Sequence, residues 1–285
     1  MLKVYVPSHK RPDVKLFDFA SDLNIVINQE EDIEPYSKWK GKHNIIYRPE
    51  LKGLLDVRNW ILEQNDDWFL MLDDDLLSTK SEELTWDEFI KETENIIYSL
   101  DKTEVGIVGY KRDEPKEFYF EEKKDNFTNI YQAVILNSSL LKSNNFKYEG
   151  YPFDGANGQR AHLEDSDLIY FCYSNNLKII QLTKLAVSFD KICSSVAWND
   201  ENKEKMIFLS CLWLLDKYRN YPNIKKDINY YFNNKPNNLR NYSKLNFAEE
   251  IIEHISRNNF KKDIELVTNI NGLLIAMKEL IDENL

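Results

Sequence analysis

The chain has 285 residues, 42% hydrophobic and 13% aromatic, enough to bury a sizeable core in one large domain or in a core domain with an appendage. With 48 acidic against 37 basic residues its formal charge is −11, which excludes a protein that coats nucleic acid non-specifically. Three cysteines, odd in number and without Cys-x-x-Cys spacing, suggest neither a disulfide framework nor a zinc site and read as core residues, and eight Gly and eight Pro leave no linker or low-complexity tail.

Residues 2–7 (LKVYVP), 24–28 (NIVIN), 44–47 (NIIY) and 68–72 (WFLML) are short apolar runs bounded by polar or turn residues, hence predicted strands. Between them the pattern predicts helices over 13–20, 30–40 and 54–64. This alternation implies right-handed βαβ units, an α/β class and a mostly parallel central sheet. There follow a helix over 86–100, a strand over 105–108, a Phe/Tyr-rich hairpin pairing 118–120 with 131–136, and a loop over 144–161. A helix over 163–174 and strands over 178–180 and 185–189 complete this part, and from Asn199 onward the pattern is helical only. The expected division is a catalytic domain over 1–197 and a helical C-terminal region over 198–285. Met1 leads straight into a strand with no apolar signal segment. The longest apolar run, Met206 to Leu215, is half the length of a spanning helix, so a cytoplasmic enzyme is expected.

Asp73-Asp74-Asp75 follows the most apolar predicted strand, at the edge where open α/β sheets bind ligands. Side chains alternate along an extended chain, so Asp73 and Asp75 share a face and are able to hold Mg²⁺ or Mn²⁺, hard ions that take oxygen ligands. Alone, the run equally reads as an acidic turn. The chain has no Gly-x-x-x-x-Gly-Lys-Ser/Thr and no Gly-x-Gly-x-x-Gly, so a cation must hold any phosphates. A second acidic group, His162-Leu-Glu164-Asp165-Ser-Asp167, heads a predicted helix. Acids there complement the helix dipole; alternatively Asp165 removes the proton of an attacking hydroxyl, with His162, Glu164 and Asp167 on the acceptor side. Residues 215–245 hold seven Lys or Arg against two Asp, with five tyrosines and Phe232 interleaved, either a solvated face or a nucleic-acid contact.

Four features in order resemble the GT-A family of nucleotide-sugar glycosyltransferases, whose central sheet is Rossmann-like. They are Val6-Pro7-Ser8-His9-Lys10-Arg11-Pro12, Gly53 with Val57-Arg58-Asn59, Asp73-Asp74-Asp75, and Glu164-Asp165 ahead of a helix. The resemblance implies a nucleotide-sugar donor near Pro7, Ser8, Arg11, Arg58, Asp73 and Asp74. It also implies Mn²⁺ or Mg²⁺ on Asp75, and Asp165 as the base of an inverting transfer. The family often adds a histidine ligand after a late strand; here Val187-Ser-Phe-Asp190 has none, and Asp190 takes that place. More narrowly, Pro7-Ser8-x-x-Arg11-Pro12, Glu34-Pro35-Tyr36, Arg58-Asn59-Trp60-Ile61-Leu62 and Met71-Leu72-Asp73-Asp74-Asp75-Leu76 resemble phage DNA-hypermodification glycosyltransferases of the TET-associated type. That implies DNA carrying hydroxymethylated pyrimidines as acceptor, in the cytoplasm of an infected cell. A surface polysaccharide or lipid-linked glycan as acceptor, and a non-catalytic module that keeps the fold, are the competing expectations.

Overall fold

A computed structural model describes residues 2–80, 84–112, 120–122, 132–150, 163–189 and most of 210–234. The chain divides into two compact units: residues 1–149, 157–160 and 164–193 form one, and 150–156, 161–163 and 194–285 the other.

The first unit is built on a nine-stranded sheet in the order β3-β2-β1-β4-β8-β6-β9-β5, with β7 paired to β9 off this path. Strands β1 (Lys3–Pro7), β2 (Asn24–Ile27), β3 (Asn44–Tyr47) and β4 (Trp68–Leu72) are mutually parallel, as the alternating pattern predicts. The connecting helices are α1 (Lys15–Phe19), α2 (Ile33–Tyr36) and α3 (Leu54–Glu63). The predicted helix over 30–40 is broken: α2 lies between two 3-10 turns, Glu30–Asp32 and Ser37–Trp39.

Beyond β4 the sheet becomes mixed. Strand β5 (Leu76–Thr79) is followed by α4 (Trp86–Ile97), whose start is fixed by a capping box between Thr85 and Glu88. Then come β6 (Val105–Arg112), β7 (Phe120–Glu122) and β8 (Ala133–Asn137). The predicted hairpin is not formed. Strand β8 is buried along its whole length and lies antiparallel between β4 and β6, whereas β7 pairs with Ile180–Leu182 of β9. A strand of Ala-Val-Ile-Leu is too apolar for a hairpin arm with a solvent face, so it fills the middle of the sheet.

Helix α5 (Ser138–Ser143) follows β8 at once, because Asn137 Oδ1 accepts from Leu140 N–H while its Nδ2 donates to Lys102 and Val105 carbonyls. Helix α6 (Glu164–Ser174) packs near β6 at Gly106, where a Cβ would stand 3.1 Å from Cys172 Sγ. The two strands expected over 178–180 and 185–189 are one strand, β9 (Lys178–Phe189). Its polar middle is no turn: Gln181 and Thr183 are buried, and the slip in register between Tyr110 and Lys111 lets β9 exchange β7 for β5 as its outer neighbour.

Val4, Val6, Ile25, Ile27, Leu70 and Leu72 project from the parallel strands into a core closed by Phe17, Phe89 and Tyr110. Cys172 and Cys211 are both buried, as expected of core residues. Within 210–234 the described residues are helix or turn, chiefly α7 (Pro222–Asn234), which opens on a proline and buries Ile224 and Ile228. Among the described residues no helix is long and apolar enough to cross a membrane.

Candidate active site

The parallel strands β1 and β4 end side by side, and the segments leaving them meet. Asp74 is central to this contact. Ser8 Oγ donates to its Oδ2 at 2.6 Å, and Arg11 Nη1 donates to its Oδ1. Tyr36 OH lies 2.7 Å from Ser8 Oγ and accepts from the Arg11 backbone N–H at 3.0 Å. Only one proton order satisfies the set: Arg11 N–H to Tyr36, Tyr36 to Ser8, Ser8 to the carboxylate. Such a chain polarises each member in turn. Burial pushes Asp74 up to about 6 against the opposing pull of Arg11, and pushes Tyr36 up to about 12. Buried Asp32 braces the same loop, meeting His9 Nδ1 at 2.7 Å and Lys10 N–H at 2.9 Å, which permits the positive φ of 55° at Lys10.

Arg58 is the second centre. Gly53, at φ 87° and ψ −177°, starts α3 in a conformation that side chains disfavour, and α3 then presents Arg58 in its second turn. The guanidinium is 3% exposed and reaches three acids. Nη2 lies 3.1 Å from Asp73 Oδ1; Nη1 lies 2.6 Å from Asp165 Oδ1 and 3.0 Å from Glu164 Oε1. Its Cζ lies over the Tyr148 ring, 5.6 Å from the centroid. Burial works against the charge of Arg58, but Asp165, Glu164 and Asp73 together outweigh it and hold the side chain protonated. The same enclosure raises the acids: Asp165 is moved up to about 6, chiefly by burial and against the pull of Arg58, and Asp73 goes well above the usual carboxylate range. Asp73 and Asp165 nonetheless keep 33% and 21% of their side chains open, whereas Glu164 and Asp167 are buried.

Asp74 and Asp75 form the turn between β4 and β5, so the alternation of an extended chain does not hold there. Asp75 Oδ2 accepts from Gln132 Nε2 at 3.3 Å, and the charge of Asp75 helps to raise Asp73. The carboxylate oxygens of Asp73 and Asp75 are the hard donors that suit a divalent cation, which takes its remaining ligands from water and phosphate. Among the described residues no three His, Cys, Asp or Glu side chains converge as a complete metal cage. His162 and Asp190, expected as an acceptor contact and a metal ligand, lie outside the described residues.

The structure thus gathers the sequence-predicted Ser8, Arg11 and Asp74 in one cluster, and Arg58, Asp73, Glu164 and Asp165 in a second. Pro7 is the last residue of β1, directly before Ser8. Three participants carry no usable sequence signal for these contacts: Tyr36 as the relay hydroxyl, Gln132 against Asp75, and Tyr148 beneath Arg58.

A helix-flanked sheet of this order, with acids at the end of its fourth strand, is a GT-A fold, and the protein is a nucleotide-sugar glycosyltransferase. More particularly, the chain belongs to the TET-associated glycosyltransferase family, whose profile matches residues 2–195. Among solved structures it is similar to S. aureus TarS 1–349, at 14% identity and a TM-score of 0.50, covering 99% of this chain and 82% of that one. It is also similar to GalNAc-T7 with UDP, GalNAc and Mn²⁺, at 11% identity and a TM-score of 0.46, covering 78% and 49% of the respective chains. A mycobacterial protein matches at 13% identity and a TM-score of 0.45, covering 76% and 74%. Comparison with curated protein sequences yields no significant match.

Proposed function

We propose that this glycosyltransferase moves a sugar, with inversion at the anomeric carbon, from a nucleotide sugar to the hydroxyl of a 5-hydroxymethylpyrimidine in DNA. Residues 1–197 would be its catalytic domain and 198–285 a helical region that meets the acceptor. The observation that carries the reading is Arg58, which ties Asp73 at the strand end to Asp165 at the head of α6. In this reading Asp73, Ser8 and Arg11 face the donor nucleotide, and Asp165 faces the acceptor. As the acceptor oxygen attacks the anomeric carbon, its proton passes to Asp165. The bond from that carbon to the diphosphate oxygen breaks, and its electron pair leaves with the diphosphate. A base near 6 is largely ionised at neutral pH and still accepts a proton effectively. Arg11 or Arg58 would offset the departing charge. A divalent cation, Mn²⁺ or Mg²⁺, would be held by Asp75 with Asp190 and would supply Lewis-acid compensation of the diphosphate.

The acceptor is argued from the TET association in the family's description and from the basic, aromatic stretch 215–245, in which Tyr221 is 36% exposed. This chemistry belongs in the cytoplasm of an infected cell, where phage DNA is modified. The test incubates the protein with Mn²⁺, hydroxymethylcytosine DNA and a panel of nucleotide sugars, followed by mass analysis of the digested nucleosides. A nucleoside heavier by one sugar residue, lost with EDTA and restored by Mn²⁺, is expected. An unchanged mass with every donor overturns the DNA acceptor.

A further inference from the structure

Helix α6 carries Asp165 in its first turn, and an aromatic chain that takes no part in the chemistry fixes the rest of that helix. Asn59 sits directly after Arg58 on α3 and bonds both backbone groups of Tyr148: its Nδ2 donates to the Tyr148 carbonyl at 2.9 Å, and its Oδ1 accepts from the Tyr148 N–H at 2.7 Å. Tyr148 is 2% exposed, and its ring lies against the Arg58 guanidinium. The ring also meets Phe146 edge-on, with centroids 5.0 Å apart, and Phe146 meets Phe171 of α6 at 4.9 Å. Phe171 stands two helical turns beyond Glu164 and therefore on the same face of α6. The helix is thus held twice along one face, by Arg58 at its head and by Phe146 further along. Both holds trace back to neighbouring residues of α3. The Tyr148 hydroxyl is buried and has no hydrogen-bond partner among the described residues, so what the residue contributes here is its ring.

We propose that Asn59 and Tyr148 are positioning residues: with Phe146 and Phe171 they form a strut that keeps Asp165 at a fixed distance from Arg58 and Asp73, and so govern turnover and not donor affinity. The proposal rests on the reading of Asp165 as the base. Misplacing a catalytic group by about 1 Å costs roughly 100-fold in rate, whereas binding that is equal in ground and transition states is untouched.

The test compares Asn59→Leu, Tyr148→Leu and Tyr148→Phe. UDP-glucose, UDP-N-acetylglucosamine and GDP-mannose are first tried with the wild-type protein, Mn²⁺ and hydroxymethylcytosine DNA, and the donor used fastest becomes the probe. Asn59→Leu and Tyr148→Leu are expected to lower kcat roughly 10- to 100-fold with donor KM within about twofold of wild type. Tyr148→Phe, which keeps the ring, is expected to match wild type. Amide hydrogen exchange over α6, measured without substrate, should quicken in both leucine variants and not in Tyr148→Phe. Donor KM rising as far as kcat falls, Tyr148→Phe as impaired as Tyr148→Leu, or α6 exchange unchanged in both leucine variants would each overturn the strut. Should Tyr148→Leu not fold, Asn59→Leu and Tyr148→Phe still decide. A wild-type protein inactive with every donor defeats the functional reading instead, and the exchange measurement then judges the strut alone.

Discussion

Arg58 Nη1 and Asp165 Oδ1 lie 2.6 Å apart although 107 positions separate them in the chain. The same guanidinium also holds Asp73, so one buried cation joins the end of β4 to the head of α6. Its planar fork does this with two nitrogens at once, which a single ammonium cannot reproduce. Arg58→Lys is therefore expected to keep the fold but lose stability and at least tenfold in turnover. Arg58→Met, which leaves the acids without their shared cation, is expected to lose about 3–5 kcal/mol. Urea unfolding and a transfer assay measure both; a lysine variant equal to wild type in each would remove the fork from the account.

Asp165 gives a pH signature with a definite sign. Its carboxyl, moved from 3.8 up to about 6, holds a proton in the folded chain where the unfolded chain has already lost it. Stability from this group is therefore fully present below about pH 4 and is lost as pH rises towards and through about 6. Asp165→Asn removes the buried charge, so the variant should be more stable than wild type at pH 7.5 and lose that advantage below about pH 4. Turnover should fall roughly 10²- to 10⁴-fold, as for loss of a general base. Denaturant titrations at both pH values, beside the transfer assay, test the pair of effects. A variant less stable than wild type at pH 7.5 would contradict the sign.

Much of this site was legible in the sequence because its acids sit where local pattern ends. Asp73-Asp74-Asp75 follows a uniformly apolar strand, and Glu164-Asp165 precedes an apolar helical pattern. The partner that each acid meets was not legible. Asp74 differs from its neighbours only by facing Ser8 and Arg11, and that contact crosses the β1–β4 pairing. Tyr148 and Tyr36 act over separations for which a single sequence carries no periodicity. In the fold, the parallel half was readable from alternation. Strand β5 was missed because Leu-Leu-Ser-Thr is four residues long and has no alternating face, and β9 was cut in two because its buried Gln181 and Thr183 look like a turn. The brief helix α5 had one available signal, the Asn137 cap.

Ser8 is the one link through which the Tyr36 hydroxyl reaches Asp74. Ser8→Ala deprives Asp74 Oδ2 of its donor and leaves the Tyr36 proton without its acceptor, both in buried surroundings. Leaving such groups unsatisfied costs about 1–3 kcal/mol. Arg11, held through both its backbone and its guanidinium, should lose definition with the relay. The expected result is a lower unfolding free energy together with a raised donor KM, since this cluster lies on the proposed donor side. A variant whose donor KM is unchanged would show that the relay serves the fold alone.

Gly53 controls where Arg58 arrives. At φ 87° and ψ −177° it occupies backbone space that is nearly restricted to glycine, and the helix it starts carries both Arg58 and Asn59. Gly53→Ala should cost about 1–3 kcal/mol, and relieving the strain must shift the start of α3. Gly41, at φ 96° with nothing within 4 Å of the place a Cβ would take, supplies the control. It precedes β3, at the end of the strand away from the ligand-binding edge, so Gly41→Ala should lose stability of the same order without moving a site residue. Turnover is expected to fall in Gly53→Ala and to stay at the wild-type level in Gly41→Ala once both are assayed at a temperature where they are folded. Equal turnover in the two variants would mean that α3 absorbs the strain before it reaches Arg58.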